Sequence, residues 1–220
     1  MNVLAIDGAL GAFSAAIAVD GSIVAARGQP GNVALELGLS MVGEVVEQAR
    51  IAPARLDRLA VGIGPGSFTG LRIAIAYAKS LAQAWACPLV PLSSFDLLEF
   101  GRELDPVLTV VVGRPGVISA RYRAGGATRR ASGFTAETLA AVLPEDDAPL
   151  SVVGASKDVL AALAERGSIV HSLDPLVTPP AAAAAALLAA SREPAPNPHG
   201  VRADYGELPA AKVPELRRAR

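Results

Sequence analysis

A glycine-rich stretch, VGIGPGSFTGLR at residues 61–72, has the composition of a turn that could hold a phosphate or a carbonyl oxygen. Gly64 and Gly66 can adopt backbone angles that other residues avoid, and Ser67 or Thr69 could cap the helix that follows. Free N–H groups at such a helix start can bind an anion. The spacing matches neither the P-loop nor the dinucleotide fingerprint, so a purely structural tight turn is the alternative.

This turn lies among elements that alternate between strand and helix. Asn2–Asp7 and residues 13–19 and 22–27 predict three antiparallel strands, with a hairpin at Asp20-Gly21. The apolar run at 59–63 predicts a fourth strand. Helices are predicted at 32–50, 71–86 and 94–104, and a short strand at 88–92.

Asp105-Pro106 interrupts the pattern and marks a predicted boundary between domains 1–105 and 106–220. The second half ends in an alanine-rich helix at 181–192, preceded by a loop at 175–180. A proline-rich tail from Pro194 is predicted to be extended or mobile. Before these, strands are predicted at 107–113, 117–124, 150–153 and 169–170, and helices at 135–143 and 157–166.

The string GIGPGSFTGLR resembles the signature of the TsaB (YeaZ-type) proteins, the dimerisation subunit of bacterial tRNA threonylcarbamoyladenosine synthesis. The resemblance begins at the sequence VLAID of residues 3–7, extends to the sequence PLSS of residues 91–94, and is faint beyond. It implies the actin/Hsp70/sugar-kinase superfold. The expected fold is therefore α/β, with two actin-like (ribonuclease H-like) domains that each contain a mixed sheet and helices.

In that superfold the first hairpin approaches a nucleotide's phosphates, and the Asp at the end of the first strand handles a metal ion or water. The resemblance therefore implies remnants of a nucleotide site at Asp7, Gly64, Gly66, Ser67 and Gly154. Asp7 could equally cap a turn, because the following Gly8-Ala9 carries no hydroxyl. A glycine turn at 112–116 lacks the Asp that a phosphate site would need, and Gly154 is equally consistent with an ordinary turn.

Groups for independent catalysis are missing. The catalytic relatives hold a metal ion with two histidines one helical turn apart, whereas His171 and His199 are far apart in this chain. Ser67 has no nearby base in the sequence, which argues against a peptidase. We therefore predict no metal site and no catalytic residue.

Two of the predicted helices, 33–50 and 71–86, are more apolar than a surface helix requires. A well-buried helix is one interpretation, and a helix with an edge on a partner protein is the other. The TsaB resemblance implies that these helices form the partner surface. The predicted interface residues are Leu37, Met41, Val45, Arg72, Ile75, Ala78, Lys79 and Ala82.

The 220 residues are 51% hydrophobic and 19% charged, with a net charge of −1, so a core forms easily and no broad basic field is available for RNA. Binding of RNA through a local basic patch stays open as an alternative. The single cysteine, Cys87, is expected to be buried, which suits a reducing compartment. Neither a leader peptide nor a membrane span is recognisable, because the apolar run at 181–190 is too short. The expected location is the cytoplasm.

The resemblance implies a non-catalytic subunit that pairs with a paralogous, metal-binding transferase of the TsaD type. Together with a P-loop ATPase of the TsaE type, that pair would modify the adenosine next to the anticodon of tRNA. No cofactor of its own is expected, although ATP could bind at the subunit junction. For the chain alone, a homodimer through the same helices and a monomer are both open. The alternatives are a self-sufficient ATP-dependent kinase or hydrolase and a glycoprotease-like peptidase.

Overall fold

The computed structural model describes residues 1–30, 34–145, 149–173 and 181–206, with side chains from residue 36 onward in the first helix. These residues form two five-stranded sheets with helices against them. The predicted loop at 175–180 and the tail beyond Gly206 lie outside the described residues.

The first sheet contains β1 (Asn2–Asp7), β2 (Ala12–Val19), β3 (Ser22–Pro30), β4 (Arg58–Gly64) and β5 (Leu89–Ser93), in the order β3-β2-β1-β4-β5. The first three strands are antiparallel, while β4 and β5 run parallel to β1. The hairpin at Asp20-Gly21 is confirmed, since both residues have positive φ angles of 47° and 78°.

The second sheet repeats this arrangement with β6 (Val107–Arg114), β7 (Val117–Ala124), β8 (Ala127–Phe134), β9 (Leu150–Val153) and β10 (Val170–Leu173). Its order is β10-β9-β6-β7-β8, with β6, β7 and β8 antiparallel and β9 and β10 parallel to β6. The strand β8 is not among the strands predicted from the sequence. The strand is largely exposed, so it lacks the run of apolar residues that marks a buried strand.

Among the described residues, six α-helices cover the sheets: α1 (Ala34–Ala49), α2 (Phe68–Ala84), α3 (Ser94–Glu99), α4 (Thr135–Val142), α5 (Lys157–Glu165) and α6 (Ala181–Leu188). The first two pack on the face of the first sheet that carries Leu4, Ile6 and Ile17. Strand residues of opposite orientation, such as Val3 and Ala5, face α6 on the other side. The first sheet is therefore buried on both faces.

The alanine-rich helix α6 was expected to belong with residues 106–220, yet it packs on β1, β2 and β4 of the first sheet. Residues 181–186 are all alanines and all buried, because small side chains let the helix approach the sheet closely. The chain thus returns to its N-terminal half after completing the second sheet.

The C-terminal segment (residues 195–206) continues this return along the first sheet. The N–H of Ala195 donates to the carbonyl of Leu89 at 2.8 Å, and the N–H of Asp204 donates to the carbonyl of Ile63 at 2.7 Å. Val201 is buried in the core beside α2. Of the two alternatives predicted for the tail, extended or mobile, the mobile one is wrong for this segment, because backbone hydrogen bonds and apolar packing hold it in place.

An ion-pair cluster, the interdomain cluster, joins α3 to the second sheet. The Glu99 carboxylate accepts from Arg123 Nε at 2.8 Å and from Arg121 Nε at 3.1 Å, and Thr109 also donates to it. Arg121 reaches Asp96 as well, at 2.6 Å. Because Glu99 and Arg121 are largely buried, these charges satisfy one another away from bulk water.

Candidate functional site

The candidate nucleotide residues lie around the turn between β1 and β2. Asp7 is fully buried at the end of β1, and its Oδ1 accepts from the N–H groups of Ala9 at 3.2 Å and Leu10 at 3.4 Å. Its Oδ2 has no hydrogen-bond partner. Burial raises the pKa of Asp7 to about 6, although the two N–H donors pull it down. Asp7 therefore caps this turn, as one of the two interpretations predicted.

The requirement for glycine at position 62 comes from a contact that the sequence does not display. A Cβ at this position would lie 2.0 Å from Asp7 Oδ2, so only glycine leaves room for the buried carboxylate. The parallel register of β1 and β4 sets these two residues side by side. The glycine motif and Asp7 are thus parts of a single packing arrangement.

The glycine turn after β4 is closed by the protein's own backbone. A Cβ on Gly66 would lie 2.3 Å from the carbonyl oxygen of Ala9, and a Cβ on Gly64 would lie 2.2 Å from that of Asp204. The N–H of Ser67 donates to the carbonyl of Ala9 at 2.9 Å. Ser67 Oγ caps α2 by accepting from the N–H of Gly70 at 3.3 Å. The close approach of three chain segments accounts for the glycines without a ligand.

A cleft of about 340 Å³ separates the two sheets next to this turn. Ala9, Leu10 and Gly11 line one side, while Val110–Val112, Leu98 and Gly154 line the other. Half-buried Leu10 also packs against the apolar cluster that contains Leu98 and Val111. Within the described parts of the chain, no charged or hydroxyl side chain lines this cleft.

Gly154 has a structural role on the far side of the cleft. Its φ angle is +80°, and a Cβ would lie 2.2 Å from the carbonyl oxygen of Val110. The structure therefore brings Asp7, the glycine turn and Gly154 to one region, as the resemblance implied. Whether a nucleotide binds there stays a prediction.

The structure corrects most of the predicted partner interface. Met41, Val45, Ile75, Ala78 and Ala82 are each no more than 6% exposed, because they face the first sheet and the core beneath α1 and α2. The broad apolar arcs of these helices are thus explained by burial in the chain's own core. The three remaining residues are accessible: Leu37 and Arg72 are exposed, and Lys79 is half-buried.

The exposed apolar residues of α1 lie at the two edges of its acidic outer face. Leu37 is 41% exposed and Leu39 is 51% exposed, and Glu36, Glu44 and Glu47 lie between them around the helix. Next to Leu37, Gly38 lies close to the ring of Tyr77 on α2.

Metal-ligating residues are dispersed. Among the described residues, no three His, Cys, Asp or Glu side chains lie close enough to hold a metal ion. His171 lies on β10, and His199 lies in a short 3₁₀ helix (Pro198–Gly200) of the C-terminal segment. That the chain has no metal site stays a prediction. Within the same described parts, every helix is too short or too polar to span a bilayer.

Two similar mixed sheets, each with the order of a three-stranded antiparallel unit followed by two parallel strands, define an actin-like α/β protein. A solved structure from Pseudomonas aeruginosa, described as an uncharacterised protein with similarity to peptidase YEAZ, covers 94% of this chain. The match includes 99% of that chain, with a TM-score of 0.72 and 24% identity. This likeness confirms the expected fold.

The chain belongs to the family described as TsaD, tRNA N6-adenosine threonylcarbamoyltransferase, whose model matches residues 35–185. It is 35% identical over 101 residues to the tRNA threonylcarbamoyladenosine biosynthesis protein TsaB of Escherichia coli, covering 46% of this chain and 44% of that protein. Identity to the Bacillus subtilis protein of the same name is 34% over 71 residues, covering 32% and 31%. The matches span less than half the length of these curated relatives. They confirm the TsaB (YeaZ-type) resemblance.

Proposed function

We infer that the chain is a subunit of the machinery that synthesises threonylcarbamoyladenosine on tRNA. In this function it supports a TsaD-type transferase and has no catalytic centre of its own. The similarity to proteins named TsaB supports the pathway. One structural observation carries the supporting role: the apolar side chain of Leu10 lies where the fold would bring its first turn to a nucleotide's phosphates.

A phosphate needs cations, hydroxyls or free N–H groups around it. In the cleft beside Leu10 the lining is aliphatic, and the Ser67 N–H already donates to Ala9. Asp7 is fully buried, with two N–H groups donating to its Oδ1 and Gly62 lying against its Oδ2. These features favour a fold that keeps the shape of a nucleotide-binding protein without its chemistry.

The pairing surface with the transferase includes the outer face of α1. Leu37 and Leu39 provide exposed apolar anchors, and their burial against a partner contributes to affinity by removing apolar surface from water. When the chain is alone, the same face makes a homodimer. A P-loop ATPase of the TsaE type and the tRNA join this pair, and ATP binds at the junction between the two related subunits.

Reconstitution tests the proposal. Purified transferase and ATPase subunits are mixed with tRNA, ATP and threonylcarbamoyl precursors, and threonylcarbamoyladenosine is measured by mass spectrometry. Omitting the chain should abolish product, and adding the Asp7→Asn variant should restore it fully. An Asp7→Asn variant that fails to restore product, together with ATP turnover by the wild-type chain alone, would establish the self-sufficient ATPase instead.

The pairing surface is tested separately by pull-down. The double variant Leu37→Asp/Leu39→Asp should weaken pairing with the transferase at least tenfold, because charged groups replace the apolar anchors. Ile169→Asp, at an apolar position of the second half that is 58% exposed, is the matched control and should pair normally. Equal pairing by all three proteins would refute this surface.

A further inference from the structure

A groove of about 290 Å³, the α2 groove, lies between α2 and the C-terminal segment. Its floor is apolar and includes Ile75 and Val201. Three cations and a tyrosine surround it: Arg72, Lys79, Arg202 and Tyr205. The groove faces away from the α1-facing side of α2, where Tyr77 lies beside Gly38.

Within the described residues, the cations of the α2 groove have carbonyl and aromatic neighbours rather than acidic partners. Lys79 Nζ donates to the carbonyl of His199 at 3.3 Å, and Arg202 Nη1 donates to the same carbonyl at 2.5 Å. The Arg72 guanidinium lies 5.0 Å from the centroid of the Phe68 ring. In the parts of the chain that the structure describes, none of the three forms an ion pair with a carboxylate.

Holding like charges together costs free energy unless an anion neutralises them. Lys79 and Arg202 share one carbonyl acceptor, so their charges lie close together. Partial burial lowers the pKa of Lys79, and the charge of Arg202 lowers it further. Positive charge is thus concentrated in a concave site on a chain whose net charge is −1.

Exposed aromatic rings lie beside these cations. Phe68 is 57% exposed and Tyr205 is 39% exposed, with ring centroids 5.0 Å apart. A basic groove with accessible aromatic rings is the arrangement that binds single-stranded nucleic acid, because cations contact the phosphates and rings stack on bases. Binding to carboxylates of an acidic protein would use the cations but not a stacking ring.

We propose that the α2 groove binds the phosphate backbone of single-stranded or looped RNA, with Arg72, Lys79 and Arg202 on phosphates and Tyr205 stacked on a base. The proposal rests on the proposed function for the source of the RNA, which would be the tRNA substrate. All the residues that line the groove belong to this chain, so the isolated protein should bind RNA without a partner.

Fluorescence anisotropy with the full chain and a labelled single-stranded RNA of about 12 nucleotides tests this groove. Three phosphate contacts on a single strand predict a slope of about −2 for log K against log salt. Arg72→Gln/Lys79→Gln/Arg202→Gln should weaken binding at least tenfold and bring the slope close to zero. Tyr205→Ala should weaken binding about tenfold without changing the slope, and Tyr205→Phe should bind normally.

The charge-matched control is Arg27→Gln/Arg50→Gln/Arg55→Gln, which removes three exposed arginines outside the groove and should leave affinity unchanged. Circular dichroism melts verify that each variant is folded. Arg72→Gln alone, at an exposed position, should weaken binding at least threefold and gives a second measure. Unchanged affinity of the groove variants would overturn the proposal. Displacement of RNA by polyglutamate of equal charge, with no effect of Tyr205→Ala, would assign the groove to an acidic protein instead. Because the chain is assayed alone, failure to pair with the transferase would refute the proposed function without altering this result.

Discussion

The interdomain cluster and the α2 groove use the same cationic residue types in opposite ways. In the cluster, Arg121 and Arg123 share the buried carboxylate of Glu99. In the groove, Arg72 and Lys79 have aromatic and carbonyl neighbours but no carboxylate within the described residues. The first set of charges joins two sheets, and the second set is left available to an anion from outside.

This difference shows that amino-acid composition alone does not indicate whether a charged side chain pairs within the protein or is available to a ligand. Net charge is −1 over the whole chain, which argued against a broad RNA-binding field. The acidic residues are not evenly distributed, however. Asp96 and Glu99, for example, pair with Arg121 of the second sheet and lie in the interdomain cluster. A local excess of positive charge therefore persists beside α2.

The largest expected effect comes from breaking the interdomain cluster. Glu99→Ala removes the acceptor shared by Arg121, Arg123 and Thr109 and should lower the free energy of unfolding by about 3 kcal/mol. The loss stays near the lower end of the range for buried pairs, because Asp96 still pairs with Arg121. Urea denaturation measures it, with exposed Glu103→Ala as the control. A loss below about 1 kcal/mol would mean that the cluster behaves like exposed surface pairs.

A buried carboxylate without a cation gives the contrasting case. The pKa of Asp7 is raised from 3.8 to about 6 in the folded state, so the folded protein binds this proton more tightly than the unfolded chain. The Asp7 carboxyl group therefore lowers the free energy of unfolding only slightly below pH 4, and it lowers it progressively more as the pH rises towards 6. Between pH 4.5 and 7, wild-type stability should fall by about 2 kcal/mol relative to Asp7→Asn.

Urea midpoints at the two pH values measure this difference, and Glu103→Gln serves as the exposed control. Asparagine keeps an acceptor for the N–H groups of Ala9 and Leu10, so the turn should persist. Identical pH profiles for wild type and Asp7→Asn would show that the carboxylate titrates normally.

The smallest expected effect on stability comes from the α2 groove. Arg72→Gln and Lys79→Gln should each change the free energy of unfolding by no more than about 0.5 kcal/mol, because they break no ion pair among the described residues. For Lys79→Gln the change should be stabilising, since a partly buried charge beside Arg202 is removed. Urea denaturation with Arg27→Gln as control measures both. A loss of more than about 1 kcal/mol in the free energy of unfolding would mean that these cations stabilise the fold, as those of the interdomain cluster do.

The fold was predictable where local pattern and long-range packing agree. The apolar strand at Asn2–Asp7, the hairpin at Asp20-Gly21 and the glycine turn after β4 each carry their own conformational signal. The capping by Ser67 was also anticipated from its position before a helix. These features depend on residues close together in sequence.

Other features depend on contacts that a single sequence does not display. The exposed strand β8 has little apolar character, and its pairing is set by β7 and the turn at Gly125-Gly126. The buried positions of Met41 and Ala78 follow from the shape of the first sheet beneath both helices. Likewise, the position of Leu10 in the cleft and the packing of the C-terminal segment on the first sheet depend on contacts between distant parts of the chain.

The return of α6 to the first sheet has a consequence for how the protein is made. Synthesis runs from the N-terminus, so β1 to β5 leave the ribosome long before the alanine helix that covers Val3, Ala5 and Ala60. One apolar face of the nascent N-terminal sheet therefore stays uncovered until α6 (Ala181–Leu188) emerges. Premature termination before Ala181 would therefore release a product with an uncovered apolar sheet face, a ready substrate for chaperones and proteases.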